Sequence, residues 1–484
     1  MTFDEELADE ADRPTNIGSR TASRQLLGRG SIYTLATAAP ALSATLILPV
    51  TTRVLSQEAY GLVAVCLVVI QFGTILASSG LAVPIMRHAL LERSALEGAR
   101  GLVFASIGTA GLITLVALMT GSWWSKPALN QPWNSVLMVA LLAAGASGVV
   151  ANVQAYLRAV DRAWTFVLLA SGGTLIGPAL GILAILVFEP SAHIYVSGLA
   201  LAYCGAAVTG LTVVAKSGVL RVKAREFRSA LRIGIPIIPH QLAISLALGS
   251  MILITSHQLG LESSARLQVA LFVSMIPTFV TSSLNYAWVP LIMRAAPGSR
   301  LMTLAATSRD VGWFAAASSA GVALLSPWIL AIVAPSSYQV SELVPVVSLA
   351  SVVAIVSVLY LSNSHLIYIA GRTSGLALIT PLSVACGMGT AIVLIGRWGL
   401  LGASAGFLVT YAVLATLTGL WCWRVSDQRW IPWPLLGPFA FAVAGGLMGA
   451  LLPDVGLGLA IRIGMAGGAA AIGTIRLTRI LRNR

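Results

Sequence analysis

The stretch TTRVLSQEAYGLVAVCLVVIQFGTILASSGLAVPIMRHALLER (51–93) decides how the whole chain must be read. Its middle, 60–84, is one continuous apolar run without a charge, bracketed by Arg53 and Glu58 before it and by Arg87 and Arg93 after it. A run of this length, as a helix, crosses the ~30 Å hydrocarbon core of a bilayer. A barrel strand is excluded, because barrel strands alternate apolar and polar residues at every second position.

Working outward, thirteen further windows share this character: about 31–50, 101–120, 135–157, 164–188, 194–215, 233–256, 267–292, 311–333, 343–370, 373–395, 399–423, 431–452 and 457–475. The composition agrees. Of 484 residues, 57% are AVILMFWYC and only 10% are charged, against roughly a quarter in soluble domains. The mean hydropathy is +0.88. These numbers predict an all-α integral membrane protein of about fourteen transmembrane helices.

Charge assigns the sides. With both termini in the cytoplasm, 25 of the 30 lysines and arginines fall on the inner side, and only Arg53, Lys126, Arg266, Arg397 and Arg462 lie outside. Cytoplasmic loops carry such an excess, and a miscounted span would scramble it. The net charge of +13 hides an acidic start, with six acids in the first twelve residues. Because the basic residues occupy short loops, anionic membrane lipids are the expected partner and nucleic acid is not. No signal peptide is read at the polar N-terminus, so the first span is expected to act as its own insertion signal. The four cysteines show no CxxC spacing and read as small buried hydrophobes. No metal, cofactor or catalytic constellation is expected.

An internal repeat divides the chain. LAVPIMRHA (81–89) corresponds to AWVPLIMRAA (287–296), with Pro84 and Pro290 206 residues apart and Arg87 and Arg294 207 apart. Upstream, TTRVLSQEA (51–59) faces SHQLGLESS (256–264). A duplicated six-helix unit follows, as in many transporters. The expected organisation is a disordered tail over 1–28, an N-lobe over 29–215, and a basic linker over 216–232 forming a surface helix on anionic headgroups. A C-lobe over 233–425 follows, and helices thirteen and fourteen with a basic tail occupy 426–484. The lobes are expected to be pseudo-symmetric about an axis along the membrane normal.

At these residues a family resemblance emerges. LPVTTRVLSQEAYGLVAV (48–65), SSGLAVPIMR (78–87), LRIGIPIIPHQLAISL (231–246), NYAWVPLIM (285–293), LSPWILAIVAPSSYQVSELVPVVSLASVV (325–353) and RWGLLGASAGFLVTY (397–411) resemble oligosaccharide flippases of the polysaccharide-transporter type. That family belongs to the multidrug/oligosaccharidyl-lipid/polysaccharide exporter superfamily. The resemblance covers roughly 25–425. It implies two six-helix lobes around a central cavity and transfer of an undecaprenyl-diphosphate-linked oligosaccharide across a bacterial cytoplasmic membrane for cell-surface polysaccharide or lipopolysaccharide biosynthesis. A polysaccharide polymerase and glycosyltransferases are the implied pathway partners. Relatives carry a charged residue in helix seven, where this chain has LGSMILIT (248–255), and a tyrosine early in helix eight, where Leu267 and Gln268 stand.

The residues themselves bear on the cargo. No Asp or Glu lies inside a window, Glu189 and Glu342 sitting at window edges. A cation-coupled drug extruder needs an embedded carboxylate, whereas arginines at span ends suit a diphosphate. Arg53, Arg266, Arg87 and Arg294 are the diphosphate candidates, with interfacial anchoring as the competing reading. His240 and Gln241, after the helix-breaking Pro236 and Pro239, are candidate glycan contacts, as are Asn285, Tyr286, Asn363 and His365, with interhelical packing as the alternative. Gly173, Gly177 and Gly181 read as a helix-packing seam. Lipid II or drug transport within the same superfamily is the alternative function. A glycan polymerase or ligase is disfavoured because no outer loop is large enough to hold a catalytic site, so the chain reads as a transporter and not an enzyme.

Overall fold

The computed structural model describes residues 47–91, 95–218, 223–295, 298–370, 372–426 and 430–482. The expected tail 1–28 and most of the first apolar window lie outside them. Among the described residues the chain is all helix, with eleven helices long and apolar enough to cross a membrane, or thirteen when two bent pairs each count as one span. Every window from the second to the fourteenth is matched by one of them. In hydrocarbon every backbone N–H and C=O must be paired within the segment, so continuous apolar sequence can settle only as helix.

Helix starts follow local chemistry. Span two (Gln57–Ala77), span four (Ser135–Ala159) and span six (Ala192–Lys216) begin on the same face, each behind a polar cap: the Ser56, Asn134 and Ser191 side chains accept from the backbone N–H of Ala59, Leu137 and Ile194. Breaks also have identifiable causes. Span two is interrupted at Ser79 and Gly80, both at positive φ, before it resumes as Ala82–Leu91. At this break the Ser78 carbonyl accepts from the Leu81 N–H and also from the Asn152 side chain of span four, at 3.2 Å. As the prolines predict, span seven starts with a 3-10 turn, Ile235–Ile237, before the helix Ile238–Leu259. Span eight bends by 45° between Leu261–Ser274 and the helix that starts at Ile276.

Packing repeats along the chain. Span four packs against spans two, three (Ala95–Met119) and six. Six spans later, span ten (Val340–Ile369) packs against eight, nine (Arg300–Val333) and twelve (Leu400–Val425). The pair five–six is likewise matched by the pair eleven–twelve. Spans thirteen (Trp433–Leu451) and fourteen (Gly456–Arg476) both lie against span nine. The linker forms a helix, Ala224–Gly234, whose Arg225, Arg228 and Arg232 are exposed while Ala230 is buried against the end of span two.

Loops expected on one side meet only loops of that side. On the face opposite the basic loops, here the far face, Asn130 donates to the Ser256 carbonyl and His257 contacts the Ala128 carbonyl. On the basic face, Arg100 donates to the Ser217 carbonyl, and Arg476 donates to Asp310 at 2.8 Å.

The buried apolar residues are distributed unequally. Toward the far face one continuous cluster joins both halves, running from Leu48 and Tyr60 through Leu271, Val347 and Phe407. Toward the basic face there are two separate clusters, one in the first half (around Leu81, Leu102, Val153) and one in the second (around Trp288, Leu304, Ile367). The halves therefore fuse at the far face and part at the basic face.

Candidate functional site between the two halves

Five hydrogen bonds join the two halves among the described residues, and all lie at the far face. Thr52 Oγ1 donates to the Val333 carbonyl at 2.7 Å, and Arg53 Nη2 to the Ala331 carbonyl at 3.3 Å. Gln57 Nε2 donates to the Ser337 carbonyl. The Asn130–Ser256 and His257–Ala128 contacts are the other two. Below them Gly61 of span two lies so close to span eight that a Cβ would fall 2.1 Å from the Leu261 carbonyl oxygen. At the basic face the contact is made where the helix Ala224–Gly234 meets the end of span two: Ala230, with Phe227 and Leu231, packs on the first-half core, and a Cβ on Gly80 would fall 2.1 Å from the Gly234 carbonyl oxygen.

A cavity of about 570 Å³ opens at the far-face seam, lined by Arg53, Gln57, Glu262, Arg266 and Tyr338 among others. It brings together two of the sequence-nominated arginines from different halves. Their electrostatics differ. Arg266 donates to the Tyr338 carbonyl and forms an ion pair with Glu342. Among the described residues Arg53 is bonded only to carbonyls, those of Pro49 and Ala331, and has no carboxylate partner. Glu262, also at the cavity wall, keeps this mouth from being strongly positive.

The other nominated residues are dispersed. Arg87 is exposed on the basic face, and the side chains of Arg294, His240 and Tyr286 lie outside the described ones. Gln241 is half-buried near the start of span seven. Asn285 and His365 are brought together: Asn285 Oδ1 lies 2.9 Å from His365 Nε2, and the Trp288 ring stacks edge-on against the imidazole, 4.6 Å between centroids. This cluster joins spans eight and ten within the second half. Asn363 is buried there too, its amide 3.2 Å from where a Cβ on Gly419 would stand.

Two arginines carry roles that charge counting does not reveal. Arg462, only 2% exposed, donates to the carbonyls of Leu324, Gly449, Leu452 and Pro453. It caps span thirteen and staples it to span nine at the far face. Arg476 pairs with Asp310 and lies 5.8 Å from the Trp313 ring, fixing span fourteen to span nine at the basic face. A polar residue facing a helix end is the signal for the first, and it shows in sequence only once the opposing carbonyls are known.

The sequence model of the family described as Polysaccharide biosynthesis protein matches residues 27–296, more than half of the 484. The chain belongs to that family. Polysaccharide biosynthesis proteins of this kind are membrane transporters, and solved structures similar to this chain give its fold. One is the inward-facing conformation of a multidrug resistance MATE family transporter of the MOP superfamily: 15% identity over 81% of this chain and 94% of that one, TM-score 0.63. Another is an outward-facing conformation of such a transporter, at 18% identity over the same shares, TM-score 0.54. A third is a MOP superfamily transporter from Pyrococcus furiosus, described as having a binding pocket of reverse polarity, at 17% identity over 81% and 94%, TM-score 0.54. No curated protein matches the chain. The polysaccharide family and the MATE-like fold both agree with the resemblance read from the sequence.

Proposed function

We propose that this chain flips a lipid-linked oligosaccharide, carried on undecaprenyl diphosphate, from the inner to the outer leaflet of a bacterial cytoplasmic membrane. The basic face is then cytoplasmic, both termini lie there, and the structure is the inward-open state. The lobes are 29–215 and 233–425, joined by the basic linker 216–232, with 426–484 as an appended pair of helices.

The observation that carries this reading is the asymmetry of the seam: one shared core at the far face, two separated cores at the basic face. A gap open to the cytoplasm accepts an amphiphile whose glycan enters between the lobes while its isoprenoid tail stays in lipid. Arg87 and Arg294 stand at that mouth and suit a diphosphate, which an arginine fork binds through two parallel hydrogen bonds. Arg53 and Arg266 act on the opposite side. In the closed state the Arg53 guanidinium bridges the far-face seam to Ala331, while Arg266 is held within the second half by Tyr338 and Glu342. Opening the seam breaks the Arg53–Ala331 bond and frees a cation to draw the diphosphate outward. His240, Gln241, Asn285, Tyr286, Asn363 and His365 are kept as candidate glycan contacts, with Asn285 and His365 acting first as a packing pair.

In a strain lacking this gene, the wild-type chain clears lipid-linked repeat units from the inner leaflet. Arg87→Ala and Arg53→Ala are each expected to slow clearance roughly tenfold at unchanged abundance, the loss of one charge-assisted contact. Full complementation by both variants leaves these arginines as anchors only. Failure of the wild-type chain to clear any lipid-linked glycan refutes the function.

A further inference from the structure

Beneath the far-face seam, between the halves, lies a second cavity of about 270 Å³. Tyr60, Tyr195, Tyr203 and Thr174 come to it from the first half, and Gln268 and Phe272 from span eight of the second. No charged residue lines it among the described residues. Tyr60 and Tyr195 are each 5% exposed, and neither hydroxyl makes a hydrogen bond among the described residues. Hydroxyls that line a cavity without a protein partner are normally satisfied by water or a ligand.

The glycine seam of span five explains how the tyrosines are seated. Gly173, Gly177 and Gly181 face Tyr203, Leu199 and Tyr195 of span six in antiparallel register. A Cβ on Gly173 would fall 2.4 Å from Tyr203 Cε1, and one on Gly181 would fall 2.8 Å from Tyr195 Cδ2. At the cavity, span five widens into a π-helical turn, Gly172–Ile176, a distortion frequent at functional sites. The stripe therefore does more than bring two helices close. It leaves room for two aromatic rings at the cavity wall.

We propose that this chamber is a binding subsite for an uncharged sugar ring of the transported glycan. The proposal rests on the flippase reading above and deepens it. Aromatic faces present a flat apolar surface to the C–H side of a pyranose, while the Tyr60 and Tyr195 hydroxyls and the Gln268 amide offer donors and acceptors to its hydroxyls. The diphosphate does not belong here, because nothing in the wall neutralises it. A bare isoprenoid chain would leave the hydroxyls unpaired.

The test uses the full-length chain in lipid nanodiscs and two probes: undecaprenyl diphosphate alone, and undecaprenyl diphosphate carrying a neutral trisaccharide. Wild type is expected to bind the glycosylated probe more tightly. The Tyr60→Phe, Tyr195→Phe double variant keeps both rings and removes both hydroxyls, and is expected to lose about tenfold in affinity for the glycosylated probe. Its affinity for undecaprenyl diphosphate should stay unchanged to within about twofold. Gly181→Ala, which displaces the Tyr195 ring, should show the same selective loss. Equal loss for both probes would assign the chamber to the lipid and overturn the proposal, as would no loss for either. Wild type binding undecaprenyl diphosphate with no gain from the sugar would overturn the subsite while leaving the flippase reading intact. Wild type binding neither probe would remove both.

Discussion

The two ends of the seam are held by different means. At the far face the halves share a hydrophobic core and, among the described residues, five hydrogen bonds, three of them from Thr52, Arg53 and Gln57. At the basic face the described residues share no hydrogen bond across the seam, only the close approach of Gly80 and Gly234 and the packing of Ala230 beside it, with a separate core on either side. A broad polar and apolar seal and a narrow glycine contact behave differently under load. The seal can open by exchanging a few hydrogen bonds for water, at a net cost of about 1 kcal/mol each. The Gly80–Gly234 approach leaves no room for a side chain between the two backbones, and in the proposed transport cycle it serves as the pivot.

The largest expected effect serves as a control, because it breaks far-face contacts that do not cross the seam. Arg462→Met strips a buried guanidinium from four carbonyls within the second half. It should cost about 3–5 kcal/mol, at 1.5–3 for each charged hydrogen bond less what the relaxed carbonyls recover. Thermal unfolding in detergent should drop accordingly, and Arg462→Lys should recover only part because it lacks the fork. Labelling of the far-face seam should not change. If it rises, the appended helices are part of the seal.

Next come the glycines. Gly61→Ala pushes a methyl into the Leu261 carbonyl, an overpacking of about 1–3 kcal/mol, which multiplies the far-open population roughly five- to a hundred-and-fiftyfold. An impermeant maleimide should then react faster with Ala334→Cys, a seam position 1% exposed beside Val333, in a cysteine-free background. Gly80→Ala meets the Gly234 carbonyl and also places a side chain at φ +64°, so it should impair export as strongly without raising that labelling. Equal labelling in both would erase the distinction between seal and pivot.

Thr52→Val removes one seam hydrogen bond, to Val333, while keeping the shape of the side chain. The far-open state should gain about 1 kcal/mol, or roughly fivefold in population, read by the same labelling. Arg266→Gln should have the smallest effect. Its ion pair with Glu342 is partly solvent-exposed, and such pairs contribute about 0–1 kcal/mol. An effect larger than that of Thr52→Val would mean that Arg266 handles cargo directly.

The helices were legible because the bilayer leaves sequence few options: a continuous apolar run must be a helix. Pro236 and Pro239 foretold the irregular start of span seven for a covalent reason, the missing N–H. Contacts between distant residues were not legible. Arg462 reads as one more outward charge until the carbonyls of Gly449 and Leu452 are seen to converge on it. His365 and Asn285 read as cargo contacts with packing as the alternative, and the structure pairs them with each other. The glycine spacing of span five announces a close approach, yet only the fold reveals that tyrosines fill the room it leaves.

The most direct measurement of the central claim is flipping by the purified chain in proteoliposomes. Fluorescent undecaprenyl-diphosphate trisaccharide is placed in both leaflets, and the fraction reached by an impermeant quencher is followed over time. A lipid-linked glycan flippase should carry the protected half of the probe to the quencher well above protein-free vesicles, with Arg53→Ala slower than wild type. The same vesicles loaded with a lipophilic cationic dye should show no transport of the dye. Transport of the dye with the glycan probe left in place would contradict the account.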